Sequence, residues 1–431
     1  MWNFQTDPDF QIKLDWMKTF VKEECEALDL LFPGHKDPYD VHNQRARSIL
    51  GPLQEQVKKH SLWACHLGPE LGGPGYGQLK LALMNEIIGR SYWAPTVFGT
   101  AAPDTGNAEI LSMFGTVDQK ARYLQPLMDG KIVSCFSMTE PQAGADPKEF
   151  TCKAWREGNE WIIDGEKWFS SNARHASFLI VMAVTNPENP PHQRMSMLIV
   201  PAETPGVEFI RNVKVMGDEA GADDGIHGYM RYNRVRVPLD AMLGKPGDGF
   251  KVAQARLGGG RVHHAMRTVG KCQRALDMML ERAVSRRTQG RKLSDHQFVQ
   301  GMIAESAIEL EQFRLLVLKT AWIIDTQPHG AARTHIAMCK VQMAKVYHDI
   351  VQRAIQLHGS LGVTLETPLA AMWMGLPSLA LADGPTEVHK IQVAKALLKN
   401  VAPAAGLFPS EHSLERLQRA KGRYARELAT K

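Results

Sequence analysis

The sequence predicts an α+β chain in three parts: a helical N-terminal domain, a central β domain and a C-terminal four-helix bundle. Three observations carry that expectation. Apolar residues recur every three or four positions up to about residue 130, the period of amphipathic helices. Between 131 and 245 they give way to short β-branched and aromatic runs separated by turn dipeptides. After Gly247-Asp-Gly249 the helical period returns over much longer stretches. The expected domains are therefore 1–130, 131–245 and 246–431. With 431 residues, 44% hydrophobic and 23% charged, the chain can bury a sizeable core.

In the first part, Phe10, Leu14, Met17, Val21, Cys25 and Leu28 form one helical stripe. Thr6-Asp7-Pro8 supplies a cap and a first-turn proline ahead of it. Helices are also expected through 80–88 and 108–114, with the glycine-rich loop 71–77 before the first of these. In the second part, Trp161-Ile-Ile163, Asp164-Gly165 and Lys167-Trp-Phe169 predict a hairpin. Strands are expected at 178–184, 197–200, 207–210 and 235–237. In the third, long helices are expected at about 250–287, 296–326, 331–358 and 386–399, the ingredients of a four-helix bundle.

Composition narrows the function. No apolar run approaches the roughly 18 residues of a membrane span, and the N-terminal residues lack the pattern of a secretory signal. A cytoplasmic location is expected. The six cysteines form no CxxC pair, so they predict buried thiols rather than a zinc site or a disulfide framework. The net charge of +5 is uneven: residues 246–431 hold 26 Lys and Arg against 15 Asp and Glu, a surplus of +11. That surplus suits a solvated helical surface, a phosphate-bearing ligand or nucleic acid, although no zinc-finger, RNP or basic-zipper pattern occurs. Dinucleotide and P-loop fingerprints and HExxH are absent, and no metal is expected.

Two stretches carry chemistry. Cys135-Phe-Ser-Met-Thr-Glu-Pro-Gln-Ala-Gly-Ala-Asp146 combines small, hydroxyl and turn residues that let backbone amides approach a flat or anionic ligand. Leu379-Ala-Leu-Ala-Asp383-Gly384 places one carboxylate after an apolar run and before a helix start, although an isolated Asp-Gly is more often a turn.

With these stretches in order along nearly the whole chain, the sequence resembles the acyl-CoA dehydrogenase family. The resemblance implies FAD as cofactor, an acyl-CoA substrate, an electron-transfer flavoprotein as acceptor, and a homodimer or homotetramer. Membrane and nucleic-acid partners are not expected. Phe136, Met138, Thr139, Gly144 and Ala145 resemble the loop that lines the flavin, and Phe169, Ser170 and Ser171 the second flavin segment, with Ser171 at the position of a hydroxyl near N5. Arg286, Thr288, His296 and Gln297 resemble the segment that reaches a neighbouring subunit's FAD. Gln356, Gly359 and Ser360 resemble the part that holds the adenosine pyrophosphate, with Pro385, Thr386 and Glu387 completing the cofactor set.

By the same resemblance Asp383 is the base that removes the α-proton, a task that calls for a carboxylate in an apolar pocket. Gly384, Arg261, Gly258, Ala145, His264 and Arg267 are expected to face the substrate, and the last three cationic positions, with His263, to receive a polar or anionic acyl substituent. The family usually has Glu where Asp383 stands, and a serine where Ala145 stands. Leu257-Gly-Gly-Gly-Arg261-Val-His-His and Ala382-Asp-Gly-Pro-Thr-Glu-Val-His389 are most similar to the branch of kinase-fused members and their free-standing bacterial relatives. That similarity implies long, branched, or 4-hydroxy or 4-phospho acyl chains. A flavin oxidase of the acyl-CoA or nitroalkane type, and a flavin-bearing nucleic-acid binder, share the fold and stand as alternatives.

Overall fold

The computed structural model describes residues 4–33, 38–69, 72–218, 225–328 and 330–429. The start of the glycine-rich loop, Leu71, lies outside them. The N-terminal part comprises α1 (Pro8–Phe20), α2 (Glu26–Leu31), α3 (Gln44–Lys59), α4 (Gly77–Ile88), α5 (Ala94–Val97), α6 (Asp104–Phe114), α7 (Val117–Gln119) and α8 (Gln125–Met128). Asp7 caps α1, its Oδ1 accepting from the Phe10 N–H at 2.9 Å. The six predicted stripe residues from Phe10 to Leu28 are all buried, carried from α1 into α2 by one wider turn at Val21–Cys25.

The central part contains β1 (Ser134–Ser137), β2 (Lys153–Glu157), β3 (Glu160–Ser171), β4 (Phe178–Val184), β5 (Met195–Pro201), β6 (Val207–Val213), β7 (His227–Pro238) and β8 (Met242–Leu243). They form one sheet in the order β6-β7-β3-β1-β4-β5-β8, with β2 beside β3 and β4. The predicted hairpin at Asp164-Gly165 is not a turn. Trp161 to Phe169 lie on the single strand β3, and a register shift between Ile163 and Gly165 marks a bulge, with Gly165 at φ +143°. The true turn lies one strand earlier, where Glu157 pairs with Glu160 across Gly158-Asn159.

The C-terminal part begins with α9 (Gly249–Ser285), followed by the short ribbon β9 (Arg287–Thr288) and β10 (Arg291–Lys292). α10 (Gln297–Thr326), α11 (Arg333–His358), α12 (Leu369–Leu381) and α13 (Thr386–Leu398) complete the bundle, and α14 (Ser413–Arg423) and α15 (Ala425–Ala429) follow. The fourth bundle element is thus two helices, broken at Asp383. The sequence pattern showed only the second, because Gly375 and Pro377 blur the period of the first.

Three cores organise the molecule. One joins the N-terminal helices to the bundle, where α4 and α9 cross so closely that a Cβ on Gly270 would stand 1.9 Å from the Glu86 carbonyl oxygen. The other two lie on either side of the sheet. In one of these, Ala108, Ile110 and Leu111 of α6 pack with Phe136 of β1 and Val252 of α9, which brings all three domains to a single seam.

Candidate active site

Asp383 lies in the break between α12 and α13, in left-handed backbone at φ +57°, followed by Gly384 at φ +101°. Aspartate tolerates this region better than most residues. The Asp383 carbonyl oxygen accepts from Arg261 Nε at 2.8 Å, and His389 Nε2 lies 3.4 Å from it. With the carbonyl so occupied, the N–H groups of Asp383 and Gly384 have no acceptor among the described residues and stand as donors. Asp383 Oδ2 lies 3.5 Å from His264 Nε2.

The surroundings of this carboxylate differ from the apolar pocket expected. Burial lowers the pKa of Arg261, Arg256 and Lys340, while the Asp383 charge raises each of them. The cations therefore converge on one acid. Lys340 also donates to the Leu379 carbonyl oxygen at 2.6 Å, which ties the end of α12 to α11.

α9 forms the opposing wall through Gly258-Gly259-Gly260. A Cβ on Gly260 would lie 3.3 Å from Asp383 Oδ2, whereas one on Gly258 would meet open space. The predicted cationic group divides across the helix. Arg261 and His264 face Asp383. Arg267 is buried, and its Nη1 donates to the Thr100 carbonyl oxygen at 3.1 Å, while His263 packs against His66 with ring centroids 6.2 Å apart. Arg267 thus turns toward the N-terminal domain, with Nε on the His263 carbonyl oxygen of its own helix, away from the face that Arg261 and His264 share. Burial holds His264 down at about 3 despite the opposing charge of Asp383, so it is a neutral imidazole and not a cation for an anionic substituent.

The flavin-side loop is anchored from beneath. Glu140 and Lys167 are both buried, and Lys167 Nζ donates to Glu140 Oε1 and to the Met138 carbonyl oxygen, each at 2.8 Å. The other Glu140 oxygen accepts from the Thr151 N–H at 2.6 Å, and Oε1 from the Cys152 N–H at 3.0 Å. A carboxylate so saturated holds the Thr139–Ala145 loop and is not available as a base. On the neighbouring strands, Ser170 Oγ and Ser137 Oγ are 2.8 Å apart, and the Tyr232 hydroxyl donates to Ser137. Ser171 pairs with Phe136 across the strands and shares a 2.8 Å hydrogen bond with His227 Nδ1. Phe169, at φ +52°, leaves 40% of its surface exposed beside this loop, although it belongs to a strand. Gly144 and Ala145 are exposed, and a Cβ at Gly144 would find only Thr139 Cγ2, at 3.9 Å. An exposed aromatic face, a hydroxyl and an open small-residue loop fit one face of a flat, polar-edged ring.

The other predicted cofactor residues stand elsewhere. Arg286 caps the C-terminal end of α9, 25 residues beyond Arg261 and so about 37 Å along a helix rising about 1.5 Å per residue. Arg286, Thr288 and Gln297 are exposed around the β9–β10 ribbon, with the less exposed His296 between them. Gln356, Gly359 and Ser360, also exposed, end α11 near this pole, where His358 feels the charge of Arg282. The predicted site residues therefore fall into two separated groups, one around Phe136, Phe169 and Asp383 and the other around Arg286 and Gln356. Pro385, Thr386 and Glu387 begin α13 directly after Asp383 and Gly384.

Besides Lys340, two site residues escaped the sequence reading. Arg256 stands on α9 with its Nε donating to Asn107 Oδ1 at 3.0 Å and its guanidinium 4.0 Å from the Phe136 ring centre. Glu109 projects from α6 toward Gly259. A charge interrupting the apolar run around Ala108 and Ile110 was the one available signal for Glu109. Among the described residues no cluster of three metal-ligating side chains occurs, and no helix is long and apolar enough to cross a membrane.

Comparison with known proteins gives matches along most of the chain. Models of the acyl-CoA dehydrogenase N-terminal, middle and C-terminal domains match residues 15–131, 135–235 and 247–398. "Probable acyl-CoA dehydrogenase FadE2" of Mycobacterium tuberculosis is 43% identical over 386 residues, 89% of this chain and 93% of that one. Rat acyl-CoA dehydrogenase family member 11 is 40% identical over 398 residues, 90% of this chain but 50% of that protein, so the chain spans about half the length of that relative. A solved acyl-CoA dehydrogenase homologue from Mycobacterium abscessus superimposes with a TM-score of 0.84 at 35% identity, covering 93% of this chain and 100% of that one.

Proposed function

The chain belongs to the acyl-CoA dehydrogenase family, and from that premise we propose that it is an FAD-dependent enzyme that dehydrogenates acyl-CoA thioesters between Cα and Cβ. The observation that carries this reading is the Asp383 carboxylate, set in strained backbone beside two unused N–H donors and opposite a glycine wall.

Asp383 takes the α-proton onto a carboxylate oxygen. The N–H groups of Asp383 and Gly384 supply donors for the thioester oxygen as negative charge develops on it. Arg261 holds the loop through the Asp383 carbonyl, which keeps those donors aimed outward. Arg261, Lys340 and Arg256 carry positive charge toward the base, and its charge in turn raises the pKa of each. His264 is neutral beside the carboxylate and orients it without titrating in the working range.

The cofactor supplies the hydride acceptor. Phe136, Met138, Thr139, Gly144, Ala145, Phe169, Ser170 and Ser171 would hold its ring. Arg286, Thr288, His296, Gln297, Gln356, Gly359 and Ser360 would hold the phosphates and adenosine of a second subunit's cofactor. The 37 Å-scale separation of the two groups supports a homodimer or a larger assembly of such dimers. An electron-transfer flavoprotein is the proposed acceptor. The finer reading of the substrate is a long, branched or 4-oxygenated acyl chain, supported by the open space over Gly258.

The test is anaerobic. The purified protein, loaded with FAD, is mixed with a panel of acyl-CoA thioesters while flavin absorbance is followed. Bleaching with formation of the 2-enoyl thioester is the expected result. Failure to bind FAD, or no bleaching with any thioester, would overturn the reading. Rapid reoxidation by air would identify an oxidase instead.

A further inference from the structure

Across the glycine wall from Asp383 stands a second carboxyl group. A Cβ on Gly259 would lie 2.9 Å from Glu109 Oε2, and one on Gly260 lies 3.3 Å from Asp383 Oδ2. Consecutive helix positions therefore face two different acids, and Gly258 beside them faces open space. A side chain at 259 would meet the tip of Glu109 and displace it.

Glu109 has no hydrogen bond or ion pair among the described residues. Arg256, the charge facing it, uses Nε on Asn107 and leaves both terminal nitrogens without an acceptor. Burial pushes the Glu109 carboxyl up to about 7 against the pull of Arg256. Arg256 is shared between acids, because the charges of Asp383 and Asp104 act on the same guanidinium. Glu109 and Arg256 are both half-buried, so the pair keeps hydrogen-bonding capacity for a ligand that reaches the seam.

The chemistry of that ligand follows from the pair. An alkyl segment satisfies neither group. An anion suits Arg256 but meets Glu109. A hydroxyl accepts from the guanidinium and donates to the carboxylate, or accepts from the carboxylic acid. We propose that Glu109 and Arg256 form a polar subsite of the acyl pocket that takes a hydroxyl on the acyl chain in preference to an alkyl or an anionic group. This rests on the reading of Asp383 as the base acting on an acyl thioester. It moves substituent recognition away from His264 and Arg267 to a pair on α6 and α9.

The experiment compares kcat/KM for flavin reduction with three thioesters of equal chain length: unsubstituted, hydroxylated at successive carbons, and ω-carboxylated. Ratios to the unsubstituted chain at each pH cancel the titration of Asp383 itself. The wild type prefers one hydroxylated isomer by about tenfold or more on either side of pH 7. Its tolerance of the ω-carboxylate falls as pH rises through 7, when Glu109 becomes charged. Glu109→Leu lowers the hydroxyl ratio at least fivefold. Glu109→Gln, which still donates and accepts, keeps much of that ratio and removes the pH dependence of the ω-carboxylate ratio. Binding of the same thioesters to the Asp383→Asn protein, read from the flavin spectrum, shows the same order without turnover. A hydroxyl ratio in Glu109→Leu equal to that of the wild type overturns the subsite. Should Glu109→Leu fail to fold, an ω-carboxylate ratio in Glu109→Gln that keeps the wild-type pH dependence overturns it equally. If unsubstituted thioesters bleach the flavin in these experiments, the base reading stands whatever the ratios. If no thioester does so, it is that reading that fails.

Discussion

Arg261 Nε donates to the carbonyl oxygen of Asp383 at 2.8 Å, so the guanidinium is bonded to the backbone of the proposed base and not to its carboxylate. That choice matters because Asp383 sits at φ +57°, a conformation costing on the order of 1–3 kcal/mol. The bond from α9 offsets the strain and keeps the loop in the form that exposes its N–H groups. Arg261 is therefore a positioning residue whose effect on chemistry passes through Asp383.

Asp383→Asn preserves the shape of the side chain and removes its proton affinity. We expect FAD content and acyl-CoA binding near the wild type and a fall in flavin reduction of about 10³-fold or more. Stopped-flow absorbance checks this, and retention of most of the rate would exclude Asp383 as the base.

Arg261→Lys keeps the charge but loses the directed Nε bond, since a flexible ammonium does not reproduce the guanidinium fork. The expected result is a fall in kcat larger than the rise in KM, with the thermal midpoint changed little. Comparable losses in stability and activity would assign Arg261 a purely structural role.

Glu140 and Lys167 form the buried support of the flavin-side loop. Burial pushes the Glu140 carboxyl up, but Lys167 and the donors around it outweigh that effect, and the net displacement is downward. A carboxylate with a depressed folded-state pKa adds stability above its unfolded value near 4.5, which is lost as pH falls below it. Lys167→Met leaves that buried charge unpaired and is expected to cost about 3–5 kcal/mol. Denaturant melts and FAD content together test this; a variant that stays fully stable and yellow would show the pair to be dispensable.

Much of the frame was legible in the sequence because periodicity reports burial directly. The Phe10–Leu28 stripe and the strand Phe178–Val184 lie where the pattern put them, since each packs one continuous apolar face or run. The hairpin failed for a definable reason. Asp-Gly signals φ above zero, which a bulge at Gly165 satisfies as well as a turn does. Motif resemblance pointed to Asp383 and Arg261, yet not to the helix break around them or the other cations facing the carboxylate. Arg256, Lys340 and Glu109 come from α9, α11 and α6, and nothing local to any of them marks their meeting. Arg267 illustrates the converse. Its four-residue spacing from His263 lets the two meet in one cationic group, yet the long side chain reaches Thr100 in the other domain.

Histidines give the last prediction, on acid stability. Burial lowers His66 to about 3, His264 to about 3 and His389 to about 4; the charge of Arg267 adds to the effect at His66, and Arg261 to that at His389. Each is neutral in the folded protein at pH values where the unfolded chain binds a proton, near 6.5. The unfolded state then holds more protons, so stability rises with pH between about 4 and 6.5 and falls as pH drops through that window. The slope is about 1.4 kcal/mol per pH unit for each fully affected histidine. His66 is the cleanest case, because both ring nitrogens are buried without a partner. His66→Phe removes the titrating group while keeping a ring, so the thermal midpoint should fall less between pH 6.5 and 5 than it does in the wild type. Parallel curves for the two proteins would show that His66 is already protonated in the folded state, or hydrated in the seam it occupies.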